Sequence, residues 1–469
     1  MSHKLRKSSY GSYNPSFGNV TMLLHGDGAN AANNNTFIDS STNNFTITRV
    51  TAPMQGSVNP FASNIPYSPE NGAGGFFNGA SALTVPDNVA FTLGAGDFTI
   101  DLWIYPFTVA GTTYIFGQND AGFSSTSTSF GFQISAGSIG GFVRSGTAFY
   151  GTSATITANV WTHVAFVRQS TVLRLYLDGV QVSTDTTIST SVVNDSTNIL
   201  AIGRCGLYTG TYFNGYMSDV RIVKGTALYL NGTTFTVPTT PATAVSGTSL
   251  LCNFKNAGIY DSSAKTEVIT QGNAQLNTTT KKYGTASIAL DGTGDYLSSV
   301  FNTTFDLLPN SFTIECWAYT TNLKAGGQRI FSTGGGVVAW NATTGIHLLC
   351  QINDATGSVS LIMSNNTGSP VAASASTLIS LNTWTHLVFI YDTVGTKGRV
   401  FVNGVMTETT LTGIARPSTN PIMNIATIPG ENASAATAFQ GYIDDFQVTK
   451  GVAKYSMSFT PPTKPYPNS

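Results

Sequence analysis

Apolar and polar positions alternate with a period of two through most of the chain. Phe98, Ile100, Leu102 and Ile104 alternate with Thr99, Asp101, Trp103 and Tyr105. Phe312, Ile314, Cys316 and Ala318 alternate in the same way with Thr313, Glu315, Trp317 and Tyr319. Successive side chains of a strand point to opposite faces, so each run predicts a strand with one apolar and one mixed face. WTHVAFVRQ (161–169) and WTHLVFIYD (384–392) are apolar on both faces and predict central strands. LDG at 177–179 and VNG at 402–404 separate alternating runs. Asp-Gly and Asn-Gly suit a type I′ hairpin turn, whose two central residues need positive φ. Helical periodicity is almost absent. The pattern predicts an all-β chain of antiparallel β-sandwich, jelly-roll type.

The same elements occur twice, in the same order. DFTIDLWIYP (97–106) matches SFTIECWAYT (311–320), and NVWTHVAFVRQ (159–169) matches NTWTHLVFIYD (382–392). LRLYLDGVQV (173–182) matches GRVFVNGVMT (398–407), and YFNGYMSDVRIVKGTALY (212–229) matches AFQGYIDDFQVTKGVAKY (438–455). The trailing FTVPTTP and FTPPTKP also pair. This is a duplication. It predicts a basic arm over 1–16, a first jelly roll over 17–241, a short small-residue linker over 242–247 and a second jelly roll over 248–469.

Composition narrows the function classes. Only 10% of the 469 residues are charged and the net charge is −1, so the global basic footprint of a nucleic-acid binder is absent. With 41% hydrophobic residues the chain is not a disordered polyelectrolyte. No apolar run reaches the roughly 18 residues that span a bilayer, so no membrane insertion is expected. The first residues carry charge but no apolar core, unlike a secretory leader. Cys205, Cys252, Cys316 and Cys350 match no zinc or CxxC spacing and read as free buried thiols of a reducing cytosol.

Several motifs together resemble the laminin-G-like, concanavalin A-like lectin/glucanase superfamily. They are the openings LLHGDG…FIDSS and LLCNFKNAGIYDSS, then FFNGASALTV and LDGTGDYLSS, the FTI-x-x-W strand, the W-T-H strand, the hairpin and the closing G-Y-x-x-D strand. The likeness covers nearly the whole chain, twice, and implies tandem laminin-G-like jelly rolls. A narrower likeness joins NPFASNIPYSPENG and D-x-x-[IV]-x-KG-x-A-x-Y to virion structural proteins of marine tailed phages.

Candidate chemistry is sparse. No nucleophile elbow, HExxH, phosphate loop or EF-hand is present. Glucanases of the resembled superfamily place three acids on one strand face; here that strand offers only Asp101 or Glu315, so hydrolysis is not expected. His163 and His386 read as packed histidines, although a base or ligand role suits their type. Asp219 and Asp445 are implied by the resemblance to be structural carboxylates, and the neighbours Asp444 and Asp445 point to opposite faces of a strand. The resemblance also raises calcium at rim loops, with Asp27, Asp39, Asp261, Asp291 and Asp295 as candidates. Only Asp291 and Asp295 lie close together, and they are the candidate calcium ligands. Trp340, unmatched in the first copy, either caps a hydrophobic edge or stacks on a sugar ring as a ligand-binding residue. Lys4, Arg6 and Lys7, beside His3, form a basic cluster that either docks on acidic partner surfaces or is solvated.

These readings lead to a non-enzymatic structural or accessory virion protein of a tailed phage, either a capsid decoration or a tail or fibre appendage. It would be assembled in the bacterial cytoplasm and sit on the virion exterior. Its expected partners are other virion proteins, itself in a homo-oligomer such as a trimer, and host or environmental glycans. A bacterial surface adhesin or carbohydrate-binding module, and a polysaccharide-degrading enzyme, are the alternatives.

Overall fold

A computed structural model describes residues 17–467, apart from 52, 57, 62–73, 125, 231, 233, 264–267, 300–302, 341–344, 366–367, 416–420 and 432. Lys4, Arg6 and Lys7 therefore lie outside the described residues. Among the described residues the chain is all-β, as expected, with only three short 3₁₀ turns. Among the described residues no helix is long and apolar enough to cross a membrane.

Each repeat builds two antiparallel sheets. In the first, an eight-stranded sheet runs Val180–Asp185, Val172–Leu177, Thr162–Gln169, Phe98–Pro106, Asn214–Lys224, Gly74–Asn78 and Met54–Gly56, with Thr248–Cys252 also paired to Asn214–Lys224. The seven-stranded second sheet runs Ala148–Thr155, Ser138–Ser145, Phe130–Ser135, Thr112–Gln118, Leu200–Ile202, Ala82–Val85 and Thr48–Val50. The second repeat has the same plan, with Phe312–Thr320 between Gln440–Lys450 and Trp384–Asp392. The two-faced W-T-H runs are internal strands, paired on both sides. Their hairpins have the expected positive φ at Asp178 and Gly179, and at Asn403 and Gly404.

The two-faced strands need cover on the outside of their sheet, and the segments after the last strand of each repeat supply it. Tyr229 and Phe235 stack at 3.8 Å and pack on Ala165, Val167 and Tyr176. Tyr455 and Phe459 stack at 4.0 Å and pack on Val388, Ile390 and Phe401. The repeated KG-x-A-x-Y and F-T-x-P pieces are thus the two ends of a flap. The flap is pinned by Phe235 N–H donating to Gly179 O and Phe459 N–H donating to Gly404 O. A Cβ on either hairpin glycine would lie 2.0 Å or less from the flap carbonyl, so these glycines meet both a φ and a space requirement.

The domain boundaries differ from those the repeat suggests. The compact units are Asn35–Ala257 on one side, and the segment ending at Asn34 together with Gly258–Ser469 on the other. The stretch 242–247 separates nothing, since the first unit continues through Ala257. The reason is an exchange of opening strands. Val20–Leu24, which begins the first copy, pairs with Gln440–Lys450 of the second. Thr248–Cys252, which begins the second copy, pairs with Asn214–Lys224 of the first. Both insertions are clamped alike. Leu23 N–H donates to Asp261 Oδ1 (2.9 Å) and Leu251 N–H to Asp39 Oδ1 (3.0 Å). Ser262 N–H donates to Leu23 O and Ser40 N–H to Leu251 O, both at 2.7 Å. Val20, Met22, Leu23 and Leu24 are all buried, and burial of such side chains is worth about 1.5–3 kcal/mol each. The opening strand is thus a principal element of a unit built largely from the other copy.

Candidate functional site

The acids that a hydrolase would use are sealed under the flaps. Asp101 is buried, takes Arg221 Nε at 2.9 Å and Nη2 at 2.6 Å, and accepts the Tyr229 hydroxyl at 2.7 Å. Glu315 is buried and accepts Lys454 Nζ at 2.5 Å, Tyr455 at 3.1 Å and Tyr466 at 2.9 Å. Burial alone would raise the Glu315 pKa, but Lys454 and its other partners hold it below the usual carboxylate range. An acid already ionised, paired and shut away from substrate cannot deliver a proton to a glycosidic oxygen.

His163 and His386 stand beside these carboxylates, at 3.8 Å from Asp101 and 4.0 Å from Glu315. Burial lowers both, His386 to about 4, so His386 is neutral at pH 7. Its Nε2 lies 2.9 Å from the Tyr466 hydroxyl. Both histidines pack edge-on against flap phenylalanines, Phe235 and Phe459. They are packed histidines, as the sequence reading preferred.

Asp219 and Asp445 occupy positive-φ bulge positions in matched strands. Asp445 accepts the Tyr466 amide at 2.9 Å and pairs with His25 Nδ1 at 2.8 Å. Asp219 faces the Ala242 amide without a hydrogen bond of ordinary geometry, and burial pushes it up to about 7. Asp444 bonds the Lys282 and Tyr283 amides at 2.8 and 3.0 Å, and burial also pushes it up to about 7.

The calcium candidates Asp291 and Asp295 do come together, beside a pocket of about 260 Å³. Asp295 is buried, and its two oxygens accept the Asn273 and Asp291 amides at 2.7 and 2.9 Å. Asp291 Oδ1 accepts the Thr293 amide at 2.7 Å. The Asn273 side chain, turned with its nitrogen toward the carboxylates, reaches Asp295 Oδ2 at 2.9 Å and Asp291 Oδ2 at 3.1 Å. Lys324 Nζ donates to the Gly292 and Ala438 carbonyls at 2.9 and 2.7 Å. These oxygens do not fit Ca²⁺, which wants six to eight of them: they already serve turn amides and a lysine ammonium. In the first copy Ser81 Oγ takes the Asn78 amide at 3.2 Å, the same bond without a charge. Asp39 and Asp261 are the strand clamps described above, and Asp27 accepts the Thr285 amide at 2.6 Å. Among the described residues no three His, Cys, Asp or Glu side chains are grouped to hold a metal ion. All four cysteines are buried and free.

Half-buried and exposed aromatic side chains lie on the second sheets of both copies. Trp340 is half-buried and packs on the cluster of Ile346, Leu349 and Ile428 in the second copy, so it caps an apolar edge. The first copy carries an exposed aromatic surface that the sequence reading missed. There Phe142 stacks on Phe149 at 5.4 Å and 23°, and Phe149 is 53% exposed. Tyr114, Phe123 and Tyr208 continue the aromatic row, Tyr114 and Phe123 at 4.4 Å and Phe123 and Tyr208 at 4.9 Å. Beside Phe149 is a trough of about 130 Å³ lined by Gln133, Gly140, Phe142, Gly151 and Ser153 among others. Gly131 and Gly151 oppose Phe142 across the ladder. A Cβ on Gly131 would lie 2.7 Å from the Phe142 ring, so glycine there lets the ring lie along the sheet. The signal was in the sequence: FGFQISAGSIGGFVRSGTAFYG is far richer in glycine than its counterpart around 349–372.

The profile of the concanavalin A-like lectin/glucanases superfamily matches residues 77–229 and again 291–454, more than half of the chain. The chain belongs to this superfamily. Both matches fall on the two copies of the repeat, and both leave out the exchanged opening strands. No curated protein matches the chain. Among solved structures it is similar to mouse laminin alpha1 chain domains LG4-5, at 13% identity over 83% of this chain and 93% of that one, TM-score 0.27. It is also similar to the Ruminococcus gnavus IT-sialidase CBM40 bound to α2,3-sialyllactose, at 17% identity over 31% and 78%, TM-score 0.27. A botulinum neurotoxin DC binding domain is similar at 18% identity, TM-score 0.31; the match covers 42% of this chain and under half, 47%, of the toxin chain.

Proposed function

We propose that this protein is a non-enzymatic glycan-binding component of the exterior of a tailed-phage particle, a capsid decoration or a tail or fibre appendage. The observation that carries the binding role is the half-exposed Phe149 beside the glycine-floored trough. A flat aromatic face can stack on the apolar face of a sugar ring, while Gln133 and Ser153 at the trough offer polar groups for its hydroxyls. The sealing of Asp101 and Glu315 under the flaps favours binding over hydrolysis. Virion placement is supported by the resemblance of the Pro-rich and KG-x-A-x-Y motifs, and by four reduced cysteines. Its partners there are other virion proteins and further copies of itself.

Glycan-array binding of the purified chain, with and without calcium, tests this. Specific binding that survives chelation is expected, because the Asp291 and Asp295 oxygens are already occupied by turn amides. Absence of binding to any glycan would leave an architectural role alone. Binding abolished by chelation would place a metal in the site and reverse the reading of Asp291 and Asp295.

A further inference from the structure

We propose that a second copy of this chain is a binding partner, and that two molecules complete each other by exchanging the strand Val20–Leu24. The acceptor for this strand is made wholly of residues more than 200 positions away. It consists of the edge of Gln440–Lys450, the Asp261 carboxylate, the Ser262 amide and Asp445. Nothing in that acceptor depends on the donor belonging to the same molecule. A neighbour's strand would bring the same Leu23 N–H to Asp261, the same Leu23 carbonyl to Ser262 and the same His25 ring to Asp445.

Opening strands already cross from one copy of the repeat to the other. Each copy gives its own away and receives the other's, with equivalent clamps at Asp39 and Asp261. After the strand, residues 25–34 form no regular strand before the chain leaves the unit at Asn34. A donor that reaches its acceptor through such a connection is the usual substrate of domain swapping. Within one molecule the donor has the advantage of an effective concentration of about millimolar order. Protein concentrations near that value remove the advantage, so exchange between molecules is expected in concentrated solution. Several contacts oppose it, among them the Ala31 amide on Leu276 O at 2.8 Å, the Leu276 amide on Ala32 O at 2.9 Å and the Thr285 amide on Asp27 at 2.6 Å. Asn34 Nδ2 donates to Val268 O at 2.8 Å and also to Ile259 O, and Asn34 Oδ1 accepts the Gly258 amide at 3.1 Å. This latch holds the end of the donor in place.

The test uses two full-length variants, Val20→Cys and Thr449→Cys, whose Cα atoms face each other in the ladder. Both positions are fully buried, so neither cysteine is presented to solvent in the closed form. The variants are mixed at high concentration, incubated and oxidised. A covalent dimer whose peptide map shows the 20–449 disulfide is expected, and Asn34→Ala in both variants should raise its yield several-fold. The double variant Val20→Cys/Thr449→Cys, oxidised when dilute, should close within one chain. If it closes while the mixture stays monomeric, the strand never exchanges between molecules and the proposal is wrong. If the double variant fails to close, the pairing itself is wrong and the proposal goes with it.

Discussion

The two copies solve one electrostatic problem with cations from different places. Asp101 and Glu315 occupy the same position in matched strands, and both are buried. The first is neutralised by Arg221 from the neighbouring strand, the second by Lys454 from the flap. In the repeat Arg221 aligns with Gln447, and Lys454 aligns with Leu228. Neither copy carries both cations and neither lacks both. What the duplication has kept is the need for a positive charge beneath the flap, since an unpaired buried carboxylate is far costlier than the pair. The pairing therefore belongs to the architecture of the flap, not to a reaction.

The strongest way to break this equivalence is to remove one cation and then rebuild the other arrangement. Arg221→Gln is expected to lower stability by about 3–5 kcal/mol, because Asp101 stays buried without its partner. Adding Leu228→Lys recreates the second copy's geometry in the first and should restore most of the loss. Denaturant unfolding of the single and double variants measures both. A double variant no more stable than Arg221→Gln would show that the two ion pairs are not equivalent.

A second contrast lies in the bulge carboxylates. Asp445 has His25 and the Tyr466 amide, whereas Asp219 has only the poorly aligned Ala242 amide. Burial raises the folded-state pKa of Asp219 from 3.8 to about 7. The folded chain therefore holds a proton there that the unfolded chain has released. That contribution is complete below about pH 4 and is lost as pH rises through 7. Asp219→Asn should flatten the fall in stability between pH 5 and pH 8, by about 2 kcal/mol at the upper end. Asp444, also raised to about 7, leaves a residual slope from the second copy. At the acid end the sign reverses. His386 falls from 6.5 to about 4, so its contribution is present above 6.5 and lost as pH drops through 4. An unchanged slope in Asp219→Asn would mean that Asp219 is solvated.

The strand clamps sharpen the comparison further. Asp39 and Asp261 make matched bonds to Leu251 and Leu23. Hydrogen bonds to charged groups contribute about 1.5–3 kcal/mol. Asp261→Ala and Asp39→Ala should therefore each lower stability by that amount, and by similar amounts. Hydrogen exchange at the Leu23 and Leu251 amides reports which strand has loosened. A large effect at one site only would show that the two exchanges are not alike.

Much of this was legible in the sequence, and the rest was hidden for identifiable reasons. Strand periodicity, the I′ turns at Asp178-Gly179 and Asn403-Gly404, and the packed histidines follow from local pattern. The flap was half-visible: a strand apolar on both faces demands an outer cover, and KG-x-A-x-Y recurs where that cover lies. The strand exchange was not visible, because LLHGDG and LLCNFK are both competent to enter either sheet and a local motif does not name its distant partner. Asp295 looked like a cation ligand because acids in a glycine loop suit calcium. Only the geometry shows Ser81 making the same bond in the first copy.

The smallest expected change in stability carries the largest consequence for function. The outward faces of the two second sheets differ at three ladder positions, with Gly131, Gly140 and Gly151 in the first copy against Leu349, Ser360 and Ala372 in the second. Gly140 and Gly151 line the trough beside Phe149, whereas Leu349 is part of the apolar edge on which Trp340 packs. Phe149 is 53% exposed, so Phe149→Ala should leave stability within about 0.5 kcal/mol, as surface substitutions usually do. It should nonetheless weaken glycan binding about tenfold or more, the loss of one stacked ring being worth about 1.4 kcal/mol. Trp340→Ala probes the other face. Because Trp340 rests on the cluster of Ile346, Leu349 and Ile428, its removal should lower stability while leaving glycan affinity unchanged. The opposite outcome, affinity lost with Trp340 and kept without Phe149, would move the binding face to the second copy and make the glycine trough a packing feature only.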